Sequence, residues 1–302
     1  MAISPTVTIV EVGPRDGLQN EPGQVSPETK IALIEALADA GLTRIEAGSF
    51  VSPKWVPQMA GSEAVITALR PRAHVTYSAL VPNMPGFARA QAAGVREIAI
   101  FAAASESFSQ RNINCGIAES LARFRPVAEA ALAGGIRMRG YISCALGCPY
   151  EGKIAAQAVI DLSARLIALG CFEISLGDTI GVGTPLQARA LAAAVGAEIG
   201  LSRTAIHFHD TYGQALANIL ACLEAGVSVI DSAVAGLGGC PYARGATGNV
   251  ATEDLVYMLD GMGLRSGVDL DALCRAGAAI SAALGHASAS RVARARAAAV
   301  PG

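Results

Sequence analysis

The stretch Thr204–Ala233, TAIHFHDTYGQALANILACLEAGVSVIDSA, contains one complete β/α/β unit. Thr204–His209 is an apolar run of strand length, and Asn218–Ala225 is an amphipathic helix that stops at Gly226. Val229–Ala233 is the next strand. A glycine just past the last helical turn takes the left-handed backbone that reverses the chain. The same pattern repeats upstream, with stops at Ala40-Gly41, Ala93-Gly94 and Leu169-Gly170, and with a start at Ser26-Pro27-Glu28, where a hydroxyl cap precedes proline.

Extended over the chain, this reading places strands at Thr8–Val12, Arg44–Ala47, His74–Leu80, Glu97–Phe101, Arg137–Ser143 and Phe172–Leu176, before the two quoted. Helices are expected at Pro27–Ala40, Ser62–Leu69, Pro85–Ala93, Ile117–Ala133, Ala155–Leu169, Pro185–Val195, Asn218–Ala225 and Thr252–Met262. Eight alternating units without a dinucleotide-type glycine fingerprint predict a closed α/β TIM barrel, (β/α)8, rather than an open doubly wound sheet. The 302 residues are expected to form one catalytic domain, with the barrel over about 6–264 and an Ala-rich helical C-terminal extension over about 265–299.

Hydrophobic residues make up 52% and charged residues 16%, but charges and glycines interrupt every apolar run. None approaches the roughly 20 residues that cross a bilayer. A net charge of −2 gives no global attraction to nucleic acid or anionic lipid, which leaves a small molecule as the expected ligand. Seven cysteines at irregular spacing imply reduced thiols. Cys144 and Cys148 lack redox or zinc-site spacing and read as structural. Met1–Pro5 has neither a basic nor an apolar leader region, so a cytoplasmic location is expected.

Two of the four histidines, His207 and His209, stand two residues apart at the end of an apolar strand, so both rings face one space. Functional groups of such barrels gather at the C-terminal ends of strands. Asp16 follows strand 1, and Asn249 lies in the loop after strand 8. Strands 1, 7 and 8 are contiguous around a closed barrel, so one carboxylate, two imidazoles and an amide oxygen can meet over a divalent ion. That mixed set suits Mg²⁺ or Mn²⁺ better than structural Zn²⁺, although imidazole and carboxylate also serve zinc. Arg15, beside Asp16, either stabilises charge that develops in the reaction or closes a salt bridge at the barrel mouth. Glu46, ending strand 2, either orients Arg15 or is structural. Cys240 lies among glycines at 236, 238, 239, 245 and 248, a run that permits a moving loop thiol.

The chain resembles the hydroxymethylglutaryl-CoA lyase family over nearly its whole length. The resemblance is carried by Glu11 to Gln19, Ser49 to Met59, Asn112 to Cys115, Ser143 to Lys153, Ser175 to Thr179, His207 to Gln214 and Gly236 to Leu255. Related Claisen-condensing synthases share Arg-Asp-Gly and His-x-His, but begin the first motif with Asp-Thr and lack the Gly-Gly-Cys-Pro-Tyr loop found at 238–242. The resemblance implies Asp16, His207, His209 and Asn249 as metal ligands, with Arg15 at the substrate carbonyl and Cys240 as the catalytic loop cysteine. It also implies Glu46, Asp178 and Glu253 as important to the site, with Gln19, Arg139 and Tyr141 as substrate contacts. The implied reaction cleaves 3-hydroxy-3-methylglutaryl-CoA to acetyl-CoA and acetoacetate, the chemistry of leucine degradation and ketone-body formation, in a homodimer. A longer-branched 3-hydroxyglutaryl-CoA, or a metal-dependent aldolase or Claisen synthase on the same barrel, is the alternative. Phe208 stands where many relatives have Cys, and Ala47-Gly48 where animal members have two Thr. The second difference is expected to alter the acyl pocket.

Overall fold

Each helix returns the chain to the starting end of the next strand, so neighbouring strands run parallel. The computed structural model describes residues 3–239 and 248–298. Its strands are β1 (Thr8–Glu11), β2 (Arg44–Ser49), β3 (Thr76–Leu80), β4 (Glu97–Ala103), β5 (Arg137–Ser143), β6 (Glu173–Asp178), β7 (Thr204–Phe208) and β8 (Val229–Ser232). They pair in sequence order, and β8 closes on β1 with Thr8 opposite Val229, giving the expected TIM barrel. The helices between strands are α1 (Pro27–Asp39), α2 (Ser62–Ala68), α3 (Met84–Ala92), α4 (Glu106–Ile113), α5 (Ile117–Ala133), α6 (Ala156–Ala168), α7 (Pro185–Ile199) and α8 (Ala215–Glu224). After β8 come α9 (Thr252–Gly261), α10 (Leu270–Leu284) and α11 (Arg291–Ala298).

The aliphatic core lies between the strands and the helical ring. Ile98, Ile100, Ile142 and Ile174 meet Leu162 and Leu166 of α6 there, and a second cluster includes Leu33, Ile34 and Leu37 of α1. Gly140 marks the outward face of β5, since a Cβ on it would meet Ile174, Cys171 and Leu166. By strand alternation, Arg139 and Tyr141 then face inward. The barrel interior departs from the usual layers of branched aliphatics. Arg139 donates from Nε to Glu173 at 2.6 Å, Arg44 donates to Glu173 at 2.9 and 3.1 Å, and Arg139 donates to both oxygens of Asp231 at 2.7 and 3.0 Å.

Asp254 on α9 ties down the start of α11, accepting from Ser290 Oγ at 2.6 Å and Val292 N at 2.9 Å. Cys115, Cys144, Cys148, Cys171, Cys222 and Cys274 are free thiols. Among the described residues no helix is long and apolar enough to cross a membrane.

Gly41 closes α1 in the left-handed region with φ +100°, and a Cβ there would lie 2.3 Å from the Gly267 carbonyl oxygen. Gly41→Ala is therefore expected to lower unfolding free energy by at least about 1–3 kcal/mol, the usual cost of such backbone strain, with the overlap added. Urea unfolding of the variant beside the parent protein checks this.

Candidate metal centre

The residues at the barrel mouth are set by what happens at three strand ends. After β1, Gly13–Gly17 forms one π-helical turn closed by Gly17 N donating to Val12 O at 3.1 Å, and this wide turn carries Arg15 and Asp16. A Cβ on Gly13 would sit 2.5 Å from Glu11 Oε1, so a larger residue would displace the carboxylate oxygen that Gly13 N and Val234 N share. His207 occupies β7 and His209 follows it. Asn249 is brought to them by an antiparallel bridge to His209, flanked by Val250 N donating to Phe208 O at 3.2 Å and Asp210 N donating to Gly248 O at 3.1 Å.

Asp16, His207 and His209 each place a donor atom within 4.8 Å of the others. Asn249 joins them through Nδ2, which donates to Asp16 Oδ2 at 2.9 Å and to Leu237 O at 3.1 Å, leaving the amide oxygen as its potential ligand atom. His209 Nδ1 is buried with no hydrogen-bond partner among the described residues. An orphaned imidazole nitrogen beside a carboxylate and a second imidazole fits a divalent cation of mixed N/O preference.

Arg15 donates from Nη1 to Asp16 Oδ1 at 2.7 Å and from Nε to Glu46 Oε2 at 2.6 Å, and its guanidinium lies 5.6 Å from the Tyr141 ring centre. The salt bridge expected of Arg15 at the barrel mouth is thus formed, with Glu46 and Asp16 as its partners. Burial opposes the Asp16 carboxylate, but Arg15, His207 and His209 outweigh it and hold its pKa well below the usual range. Burial also disfavours charge on His209, and with His207 beside it the ring falls to about 4, so it is neutral and ligand-ready at pH 7. For Glu46, burial pushes the pKa up against the pull of Arg15. Glu46 Oε1 and Gln19 Oε1 are further buried acceptors without a partner among the described residues.

Other expected residues are placed differently. Arg139 is 2% exposed, and its guanidinium is taken up by Asp231, Glu173 and the Tyr141 hydroxyl, so it stands beneath the site as an internal anchor rather than a free substrate contact. Asp178 accepts from Val182 N at 3.2 Å and Gly183 N at 2.8 Å, which makes it the brace of the loop after β6. Glu253 spends both oxygens on Ala235 N, at 2.9 and 3.0 Å. That bond holds a left-handed Ala235, φ 59°, in the turn leaving β8. Cys240 lies outside the described residues. Ala47 is buried in the aliphatic core, and a Cβ on Gly48 would meet Ser62 Oγ at 2.8 Å, so this pair lends no spare room to an acyl pocket.

Sequence reasoning missed Glu11 and Asp231. Glu11 accepts from Gly13 N at 2.8 Å, Val234 N at 2.9 Å and Thr252 Oγ1 at 2.7 Å, joining the turn after β1 to the turn after β8. Asp231 accepts from Arg139, Ser175 Oγ at 2.9 Å and His207 Nδ1 at 3.2 Å. The available signal was an acidic residue inside an apolar strand, as in Val229-Ile230-Asp231-Ser232, where an unpaired carboxylate would be costly.

Comparison with known proteins adds to this geometry. A family model described as HMGL-like matches residues 6–280. The chain is 58% identical over 295 residues, 98% of each protein, to the 3-hydroxy-3-isohexenylglutaryl-CoA/hydroxy-methylglutaryl-CoA lyase of Pseudomonas aeruginosa. A crystal structure of hydroxymethylglutaryl-CoA lyase from Pseudomonas aeruginosa superposes with a TM-score of 0.98 at 57% identity, covering 99% of this chain and 100% of that one. An HMG-CoA lyase from Acinetobacter baumannii, solved in complex with coenzyme A and 3-methylmalate, superposes with a TM-score of 0.93 at 40% identity over 98% of this chain and 96% of that one.

The buried carboxyl of Glu253 yields a pH test. Burial outweighs its bonds to Ala235 and, with Glu11 nearby, pushes its pKa from 4.5 up to about 8. The folded state therefore binds a proton more tightly than the unfolded state, so the associated stability is complete below pH 4.5 and is lost as pH rises through about 8. Glu253→Gln should flatten that loss. Thermal midpoints of both proteins across pH 6 to 9 measure it, and a parallel decline would remove Glu253 as its source.

Proposed function

Because the chain belongs to the HMGL-like family, we propose that it is a carbon–carbon lyase that cleaves 3-hydroxy-3-methylglutaryl-CoA to acetyl-CoA and acetoacetate. The observation that carries this reading is the joining of Asp16, His207, His209 and Asn249 beside a braced Arg15 at one end of the barrel. The coenzyme A complex of the Acinetobacter baumannii relative supports an acyl-CoA substrate. A homodimer is part of the same proposal, on the family resemblance.

Asp16, His207, His209 and the Asn249 amide oxygen would hold a divalent ion, Mg²⁺ or Mn²⁺, which supplies Lewis-acid polarisation of substrate oxygens. The reaction removes the proton of the C3 hydroxyl and breaks the C2–C3 bond. Its electron pair passes into the thioester as an enolate, while C3 becomes the ketone of acetoacetate. Protonation at C2 gives acetyl-CoA. With Nε and Nη1 committed to Glu46 and Asp16, Arg15 has Nη2 to offer the thioester oxygen, where the negative charge grows. Its frame is set before charge appears, which is the condition for strong electrostatic stabilisation. Cys240 is the residue we assign to proton transfer, on the resemblance alone. Tyr141, whose ring lies against Arg15 and His207, is a substrate contact in this proposal, and Gln19 is one on the resemblance alone.

A longer 3-branch is the second reading, favoured by the isohexenylglutaryl-CoA named for the Pseudomonas aeruginosa relative. Neither Ala47 nor Gly48 argues for it.

A coupled assay for acetyl-CoA, run on chelated and then Mg²⁺- or Mn²⁺-restored protein with methyl- and isohexenyl-branched substrates, tests the proposal. Activity should vanish on chelation and return with metal, on the methyl-branched substrate at least. Full turnover in demonstrably metal-free protein, or none on either substrate, would sink it. Arg15→Met should lower kcat by roughly 100-fold or more with a much smaller change in KM, as expected for a group acting on the transition state. An unchanged kcat with raised KM would make Arg15 a binding residue only.

A further inference from the structure

We infer that Asp231 is a positioning residue that fixes the tautomer and ring orientation of His207, with Arg139 and Ser175 holding Asp231 in turn. The inference rests on the metal-site reading above and goes beyond its ligands.

Asp231 and His207 are register partners on adjacent strands, so the carboxylate lies beside the imidazole inside the barrel. Asp231 is 1% exposed and has no solvent to satisfy it. Four contacts converge on its two oxygens. Oδ1 accepts from Arg139 Nη2 at 2.7 Å, while Oδ2 lies 3.0 Å from Arg139 Nη1, 2.9 Å from Ser175 Oγ and 3.2 Å from His207 Nδ1. An ionised carboxylate accepts and cannot donate. The His207 nitrogen facing it is therefore the N–H nitrogen, and Nε2 carries the lone pair. Nε2 faces Asp16 Oδ2 at 3.8 Å, too far for a hydrogen bond and on the side where the donor atoms of Asp16 and His209 gather.

The two imidazoles are consequently held in unlike ways. His207 has a carboxylate behind Nδ1, whereas His209 Nδ1 has none among the described residues and the hydrogen-bonding group acting on that ring is the Thr179 backbone. A carboxylate behind a ligating histidine restricts the ring and raises its basicity, and loss of such a partner typically costs about 10–100-fold in metal affinity.

The competing role for Asp231 is simple neutralisation of the buried Arg139. Glu173 separates the two roles, because it pairs with Arg139 Nε at 2.6 Å and belongs to β6 rather than to a strand end at the mouth. Mn²⁺ affinity would be measured by the electron paramagnetic resonance signal of free Mn²⁺ for the parent protein, Asp231→Asn and Glu173→Gln. The expected result is a loss of about 10–100-fold for Asp231→Asn and less than about 3-fold for Glu173→Gln. Equal losses in both variants, or parent-like affinity in Asp231→Asn, would overturn the inference while leaving the metal site standing. A parent protein that binds no Mn²⁺ would overturn both. A second measurement survives a variant that fails to fold. Ring ¹⁵N shifts of the metal-free parent at pH 8, with the His207 signals identified by their loss in His207→Asn, should show His207 protonated at Nδ1. A neutral Nε2–H form would overturn the inference.

Discussion

The ion pair between Arg139 and Asp231 inside the barrel is the constraint on which the site is built. A guanidinium removed from water at this depth is tolerable only with its donors filled, and Arg139 fills them from β5 across to Glu173, Asp231 and the Tyr141 hydroxyl. Removing one partner of such a pair costs about 3–5 kcal/mol, because the other charge is left stranded. The interior is therefore a set of mutually dependent charges, extending through Glu173 to Arg44 and on to Glu97 at 3.4 Å. Aliphatic layers would pack the barrel as well. They would not present an anion to the back of His207.

Above that level, two buried carboxylates organise the turns that reach the mouth. Glu11 joins the backbone of Gly13 to that of Val234, and Glu253 captures Ala235 in a conformation that non-glycine residues seldom adopt. The turns carrying Arg15 and Asp16 on one side, and leading toward Asn249 on the other, are thus braced through shared backbone bonds. Burial pushes Glu11 up to about 7 against its three hydrogen bonds, so the brace lies near its titration range. The placement of Arg15 and Asp16 after β1 depends in this way on an acid bonded to the backbone of their turn.

The barrel was legible because its periodicities are strong. All eight strands occur where apolar runs predicted them, with ends displaced by a few residues: β6 runs on to Asp178 and α7 to Ile199. Helix α4 was not legible by the same means, since Glu106–Ile113 is mostly polar and shows no apolar stripe. Its only local signs are Ser105 capping Phe108 N at 3.0 Å and a left-handed Asn114 at its end. The grouping of Asp16, His207 and His209 was legible because strand alternation and the strand-end rule fix a side chain's direction from position alone. Asp231, Glu11 and the environment of Arg139 were not, because their roles depend on partners 92, 223 and 34 residues away, pairings that no local pattern encodes. A polar residue inside an apolar strand announces that a partner exists without saying which.

The same logic explains what is left unpaired. Inside the barrel Arg139, Glu173 and Asp231 are each bonded more than once, and Asp231 Oδ2 alone takes three. Toward the mouth, His209 Nδ1 and Glu46 Oε1 are buried and lack partners among the described residues. A site satisfied by its own side chains would have to break those bonds before accepting a cation or an acyl group. Asp16 does carry internal bonds, to Arg15 and Asn249, while His209 Nδ1 and Glu46 Oε1 can accept without giving one up. Rigid, bonded groups thus stand beside acceptors left open, the arrangement that lets a site meet a charged ligand without reorganising first.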